Sequence, residues 1–128
     1  MKTPDHNYKR QMIRSYIAAA IWAGHDWDNM DESDNPSDLD DYSEDDVTVS
    51  GYMRAARDCL DFYASCQDIA HDWDADQFGI DFYLTRCGHG AGFWDRGKGP
   101  IGDALTVRAN VYGSADLFVT DTNQLDWM

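Results

Sequence analysis

Residues Asp26–Asp46 carry eleven acidic side chains, no basic one, and Pro36. Repulsion among the carboxylates and the missing proline N–H both oppose a continuous helix. The stretch therefore reads as a solvated loop or a locally disordered segment, and any core must be assembled from what flanks it. The flanks can supply one. Hydrophobic residues are 43% and aromatics 13% of the 128 residues, which excludes disorder of the whole chain and fits a single domain, 1–128.

The acidity extends beyond that stretch. The formal charge is -14, and of the 24 acidic residues only Glu32 and Glu44 are not aspartate. Such a balance repels nucleic acid and anionic membranes and favours basic partners or divalent cations. The sequence has no apolar run of the roughly 18 residues a membrane span requires, and its N-terminus lacks a signal-peptide pattern. Cys59, Cys66 and Cys87 form no CxxC pair and leave one odd, so they are expected to be reduced, in a cytosol-like compartment.

Hydrophobic spacing gives a helical front and a mixed back. Tyr8–Gly24 places Met12, Ile13, Tyr16, Ile17, Ala20 and Ile21 at three- and four-residue intervals, an amphipathic helix stopped by Gly24. A second helix is expected from about Ser50 to Ala70, its inward face holding Tyr52, Met53, Ala56, Cys59, Leu60, Tyr63, Cys66 and Ala70. Ile80, Phe82 and Leu84 then alternate with Asp81, Tyr83 and Thr85, a strand signature. Gly88–Gly99 contains five glycines and reads as loop. Pro100 suits the first turn of a short helix bearing Ile101, Ala104, Leu105 and Arg108. Ala115–Thr120 and Leu125–Met128 read as short strands around a turn. The fold class is α+β: two or three helices packed on a small, mostly antiparallel sheet. Ile17, Ile21, Leu60, Tyr63, Phe82, Leu84, Trp94, Leu105 and Leu117 are expected to share its core.

HDWD occurs twice, at His25–Asp28 and His71–Asp74. Each follows a predicted helix, so the tryptophan can cover the core edge while the aspartates stay wet. Trp27 and Trp73 are therefore expected to be buried and structural. Asp72, Asp74 and Asp76 begin like a calcium loop, but Gln77 stands at the sixth position and Tyr83 at the twelfth, where glycine and glutamate belong. The cysteines and histidines lack zinc spacing. A carboxylate-rich site that binds calcium weakly stays an alternative, but no EF-hand, no zinc site and no cofactor is expected.

Two patterns are candidates for function. On the second predicted helix, Asp58, Asp61, Ser65, Asp68 and Asp72 fall in one narrow sector, successive side chains roughly 5–6 Å apart. Four carboxylates on a stripe roughly 20 Å long resemble a short row of phosphates, and no Lys or Arg lies between Asp58 and Thr85. The alternative is an ordinary solvated face. Basic residues gather elsewhere: Lys2, Lys9, Arg10 and Arg14 at the front, and Arg86, Arg96, Lys98 and Arg108 around the glycine loop RCGHGAGFWDRGKG. There the glycines allow close backbone approach. Arg86, His89 and Arg96 could bind an anion, and His89 with Asp95 could move a proton. The same loop could equally be a connection in which Phe93 and Trp94 plug the core and Asp95 pairs with an arginine.

The segment DFYLTRCGHGAGFWDRG, Asp81–Gly97, with its continuation to Gly99, resembles a family of small acidic bacteriophage proteins sharing a DFWLTRNGHGAGFWDRG-like segment after an acid-rich helical front half. Tyr83 and Cys87 replace the tryptophan and asparagine of that segment, so no loop chemistry is carried over. The resemblance implies an accessory protein acting in the host cytoplasm. By class analogy, small acidic phage proteins block host defence or nucleic-acid enzymes, some by imitating DNA. Two function classes follow. One is a binding inhibitor that occupies the groove of a basic, nucleic-acid-binding host protein through Asp58, Asp61, Asp68 and Asp72, without itself touching nucleic acid or membrane. The other is a nucleotide-binding or hydrolytic site at loop 86–99. The charge favours the first, a non-enzymatic role.

Overall fold

The computed structural model describes residues 5–30, 36–69, 73–88 and 91–128. Helices α1 (Asp5–Ala23), α2 (Val49–Ser65), α3 (Ala75–Cys87) and α4 (Pro100–Asn110) supply most of the regular structure. Two antiparallel ribbons accompany them, β1 (His25–Met30) with β2 (Pro36–Asp38), and β3 (Leu117–Val119) with β4 (Leu125–Trp127). The class is α+β but mainly helical. The ribbons are separate two-stranded sheets rather than one sheet on which the helices lie.

The expected strand at Ile80–Thr85 is instead the middle of α3. Asp74 caps this helix, its carboxylate accepting from the Gln77 N–H at 3.2 Å, and Gly88 closes it in the left-handed conformation at φ 66°. The helical period is hidden because every residue from Asp81 to Arg86 is buried. A helix surrounded by protein has no wet face to mark its turn, so short alternation imitates a strand. Gly79 makes this burial possible: a Cβ there would overlap the Met12 carbonyl oxygen, so the α1 and α3 backbones touch.

Among the described residues the acidic stretch forms no α-helix, nor is it all loop. β1, β2 and a 3₁₀ turn at Glu44–Asp46 lie within it. Leu39 is fully buried and packs on Gly24, where an added Cβ would sit 2.6 Å from its Cδ1. Ser43 caps the 3₁₀ turn, and Val47 bridges to Leu125.

One core joins the four helices to the β3–β4 hairpin. Phe62 stacks on Phe82 with centroids 4.1 Å apart, and Phe78, Phe93 and Tyr16 surround that pair. Trp127 donates its indole N–H to the Gly51 carbonyl at 2.9 Å, fastening the hairpin to α2. Of the expected core residues, Ile17, Phe82, Leu84, Leu105 and Leu117 are buried, and Ile21 and Tyr63 are partly so. Leu60 and Trp94 are not, being 37% and 41% exposed. On α2 the buried face is Ala55, Cys59 and Phe62, continued by Cys66, while Tyr52 and Met53 face out. The face is turned from the expected one by most of the about 100° that one residue spans, and α2 ends at Ser65, short of Ala70.

Candidate functional site

That rotation decides the environment of the acidic stripe. Asp58, Asp61 and Ser65 sit beside the buried face rather than opposite it. Arg57 stands 3.9 Å from Asp58, and the cations that Asp58–Thr85 lacks arrive from α3 and from α4. Arg86 donates to Asp58 at 3.0 Å, and Arg108 donates to both oxygens of Asp68 at 2.8 and 3.1 Å and to the Ser65 carbonyl at 2.8 Å. The Tyr112 hydroxyl donates to Asp61 at 2.5 Å, and burial together with that bond raises its pKa. These three carboxylates are thus engaged within the chain. Asp72 lies outside the described residues.

Arg86 and Arg96 leave α3 and the glycine loop in different directions. Arg86 is buried, donating also to Tyr16 Oη at 2.7 Å and to the carbonyls of Tyr112 and Gly113, with its guanidinium over the Phe82 ring. Arg96 grips Asp81, fifteen residues earlier and on α3, through Nη2 at 2.7 Å and Nε at 3.1 Å. The Asp81 carboxylate is fully buried and also accepts from Gln77 Nε2 at 2.9 Å and Trp73 Nε1 at 3.2 Å. Asp95 accepts from the Gly92 N–H at 3.2 Å and stands 3.8 Å from Arg96. His89 lies outside the described residues. Among the described residues of the loop, Arg96 turns inward to Asp81 and Phe93 plugs the core, while Trp94 lies half out. What opens to solvent is a cleft of about 220 Å³ lined by Trp73, Asp74, Gln77, Arg96 and Lys98, with Lys98 Nζ 6.0 Å above the Trp73 ring.

Trp73 is buried, and Asp74 serves as a helix cap, so the second HDWD opens a helix as well as following one. His71 and the side chains of His25–Met30, Trp27 included, lie outside what the structure describes. Asp76 accepts from Ser15 Oγ at 2.7 Å. Among the described residues no group of three or more His, Cys, Asp or Glu is placed to hold a metal, and no helix is long and apolar enough to cross a membrane. All three cysteines are free thiols, and burial pushes Cys59 and Cys66 upward in pKa.

Among the described residues a second concentration of carboxylate lies at Asp38, Asp40, Asp41, Glu44, Asp45 and Asp46, six acidic side chains in nine residues, with Glu44 and Asp46 half-buried and the others exposed. One ion pair is described along this run, Arg14 with Glu44 at 2.9 Å. Tyr42 Oη donates to Asn123 at 2.7 Å and the Thr48 N–H donates to the Leu125 carbonyl at 2.9 Å, so the hairpin with Asp121 and Asp126 lies alongside. Trp22, next to this run, is 76% exposed. Sequence reasoning passed over it, although its position off the Met12–Tyr16–Ile17–Ala20 face of α1 is visible on a helical wheel.

A scan of protein-family models, a search of curated proteins and a search of solved structures each returned no match to this chain.

Proposed function

We propose that this chain is a phage-type acidic binding protein. It inhibits a basic host protein, of the nucleic-acid-binding or defence kind, by placing carboxylates where that protein holds phosphates. The observation that carries this reading is the run Asp38–Asp46, in which Asp38, Asp40, Asp41 and Asp45 are exposed, Glu44 and Asp46 are half-buried, and one ion pair is described. Carboxylates held on a capped turn and a ribbon are fixed in place before encounter, which lowers the entropic cost of binding. The α2 stripe contributes less, because Asp58, Asp61 and Asp68 already have partners in the chain. A partner captured from bacterial lysate should dissociate as salt rises and should be displaced by duplex DNA. Binding that ignores both salt and DNA would sink the proposal.

The cleft beside Lys98 favours a second reading, a small anionic ligand such as a nucleotide at the glycine loop. Calorimetric titration of nucleotides tests it. Heat abolished by Lys98→Ala, a change that spares the Asp81–Arg96 pair, would support this reading, and no heat with the parent would end it.

A further inference from the structure

The groove between α1 and α3 is lined by Ser15, Ala18, Ala19, Trp22, Ile80 and Leu84 and measures about 350 Å³. Its walls are apolar apart from Ser15. Across the Ala18–Trp22 ridge lies a second groove of about 370 Å³, bordered by Asp40, Tyr42, Glu44 and Arg14. On the opposite margin Asp76 is held by Ser15 Oγ at 2.7 Å. An exposed tryptophan ridge with apolar residues beside it is therefore flanked by carboxylates on both sides. Among the described residues, Arg14, 2.9 Å from Glu44, is the one basic residue lining either groove.

We propose that this face docks an amphipathic basic helix of the partner. Its apolar side chains, spaced three and four residues apart, would fill the α1–α3 groove against Trp22, and its lysines or arginines would reach Asp76 on one margin and Asp40 and Asp41 on the other. The commitment to a basic helix rests on charge complementarity. Apolar anchors alone would suit many partners, but carboxylates on both margins repel an acidic or neutral-rimmed one. Anchors recurring at i, i+3, i+4 and i+7 are how a helix enters such a groove. A tryptophan at the centre of a contact is the residue type that dominates binding energy. The inference rests on the acidic-binder reading above and adds to it a shape and an anchor.

The probe is a fluorescent 18-residue Leu/Lys peptide with leucine at i, i+3, i+4 and i+7, titrated into the full chain at about 0.15 M salt. A scrambled peptide of the same composition is the control. Trp22 is so exposed that Trp22→Ala should keep the parent's circular dichroism and urea midpoint. The expected result is a Kd raised at least about 10-fold by Trp22→Ala, a similar loss with the scrambled peptide, and a shift of the Trp22 indole N–H resonance on binding. A triple variant, Asp40→Asn with Asp41→Asn and Asp45→Asn, separates the two ideas. If it weakens binding while Trp22→Ala binds like the parent, the groove is wrong and the acidic reading stands. If Trp22→Ala weakens binding and the triple variant does not, the basic partner is wrong and both ideas fall. A parent dimer that Trp22→Ala turns into a monomer, with no peptide binding, would make this face a self-interface and overturn the proposal.

Discussion

Arg86 and Asp58 meet at 3.0 Å with their side chains 4% and 19% exposed. The pair ties the C-terminal turn of α3 to α2, and Arg86 extends the link to Tyr16 on α1 and to the carbonyls of Tyr112 and Gly113 after α4. Four hydrogen bonds from this one guanidinium thus reach α1, α2 and the turn after α4. An arginine that reads as a candidate anion ligand in the sequence is the molecule's central polar joint.

Removing that joint should be costly. Arg86→Ala leaves a carboxylate, a phenol and two carbonyls without their donor, and breaking a buried pair from one side costs about 3–5 kcal/mol. Asp58→Asn keeps an acceptor for Arg86 and should cost about 1–2 kcal/mol. Urea unfolding of both variants checks the order. Equal midpoints for Arg86→Ala and the parent would show that the joint carries no stability.

The Asp81–Arg96 pair should behave locally. Arg96 is a third exposed, so water can replace it in part, and Arg96→Ala should cost about 1–3 kcal/mol. The loss should fall first on the segment 91–99 that Arg96 fastens to α3. Hydrogen exchange resolved by residue should show faster exchange there than in α1. Uniform acceleration across the molecule would instead make Arg96 part of the global core.

Gly79→Ala tests the contact between helices. The new methyl overlaps backbone at Met12, which cannot swing aside as a side chain could, so the helices must separate along their shared length. Overpacking of this kind costs about 3 kcal/mol, equivalent to roughly 10 °C in Tm for a domain of this size. A Tm within about 2 °C of the parent would mean that α1 and α3 are not in backbone contact.

Alternation and periodicity located α1, α4 and the terminal hairpin because each has one wet and one dry face. The same logic failed at α3, where Asp81–Arg86 are all buried and no polar side marks the turn. It also misplaced the α2 face, since Tyr52, Met53 and Leu60 are apolar yet point outward, while Phe62 carries the packing. That error hid the partners of the acidic stripe. A helical wheel shows which residues share a sector but not what faces it. Arg86 and Arg108 come from 28 and 40 residues away. The buried role of Asp81 was hidden likewise, because Arg96 closes on it only once the glycine loop folds back.

Alkaline pH should destabilise the fold in two steps. Burial raises the pKa of Cys59 and of Tyr16 and Tyr8, so the native state holds their protons more tightly than the unfolded chain. For groups shifted this way the contribution is complete below the unfolded pKa and is lost progressively as pH rises from there toward and through the raised folded pKa. The unfolded thiol titrates near about 8.5 and the unfolded phenol near about 10. The urea midpoint should therefore begin to fall above about pH 8.5 and fall more steeply above about pH 10. Cys59→Ala should shrink the first step, to which Cys66 also contributes. A midpoint constant from pH 8 to 10.5 would contradict the buried, protonated state of these groups.

The functional reading predicts a kinetic signature. Asp40, Asp41 and Asp45 are exposed and lie off the core, so changing all three to Asn should leave the unfolding free energy within about 0.5 kcal/mol of the parent. With a basic partner in hand, the triple variant should associate more slowly at low salt, by about 10-fold, because long-range attraction steers encounter. Raising salt to about 0.5 M should bring parent and variant together as the field is screened. Lys98→Ala, in the cleft by the glycine loop, should change neither rate. If Lys98→Ala abolishes inhibition of the partner while the triple variant associates like the parent, function resides in the cleft and the acidic surface serves solubility alone.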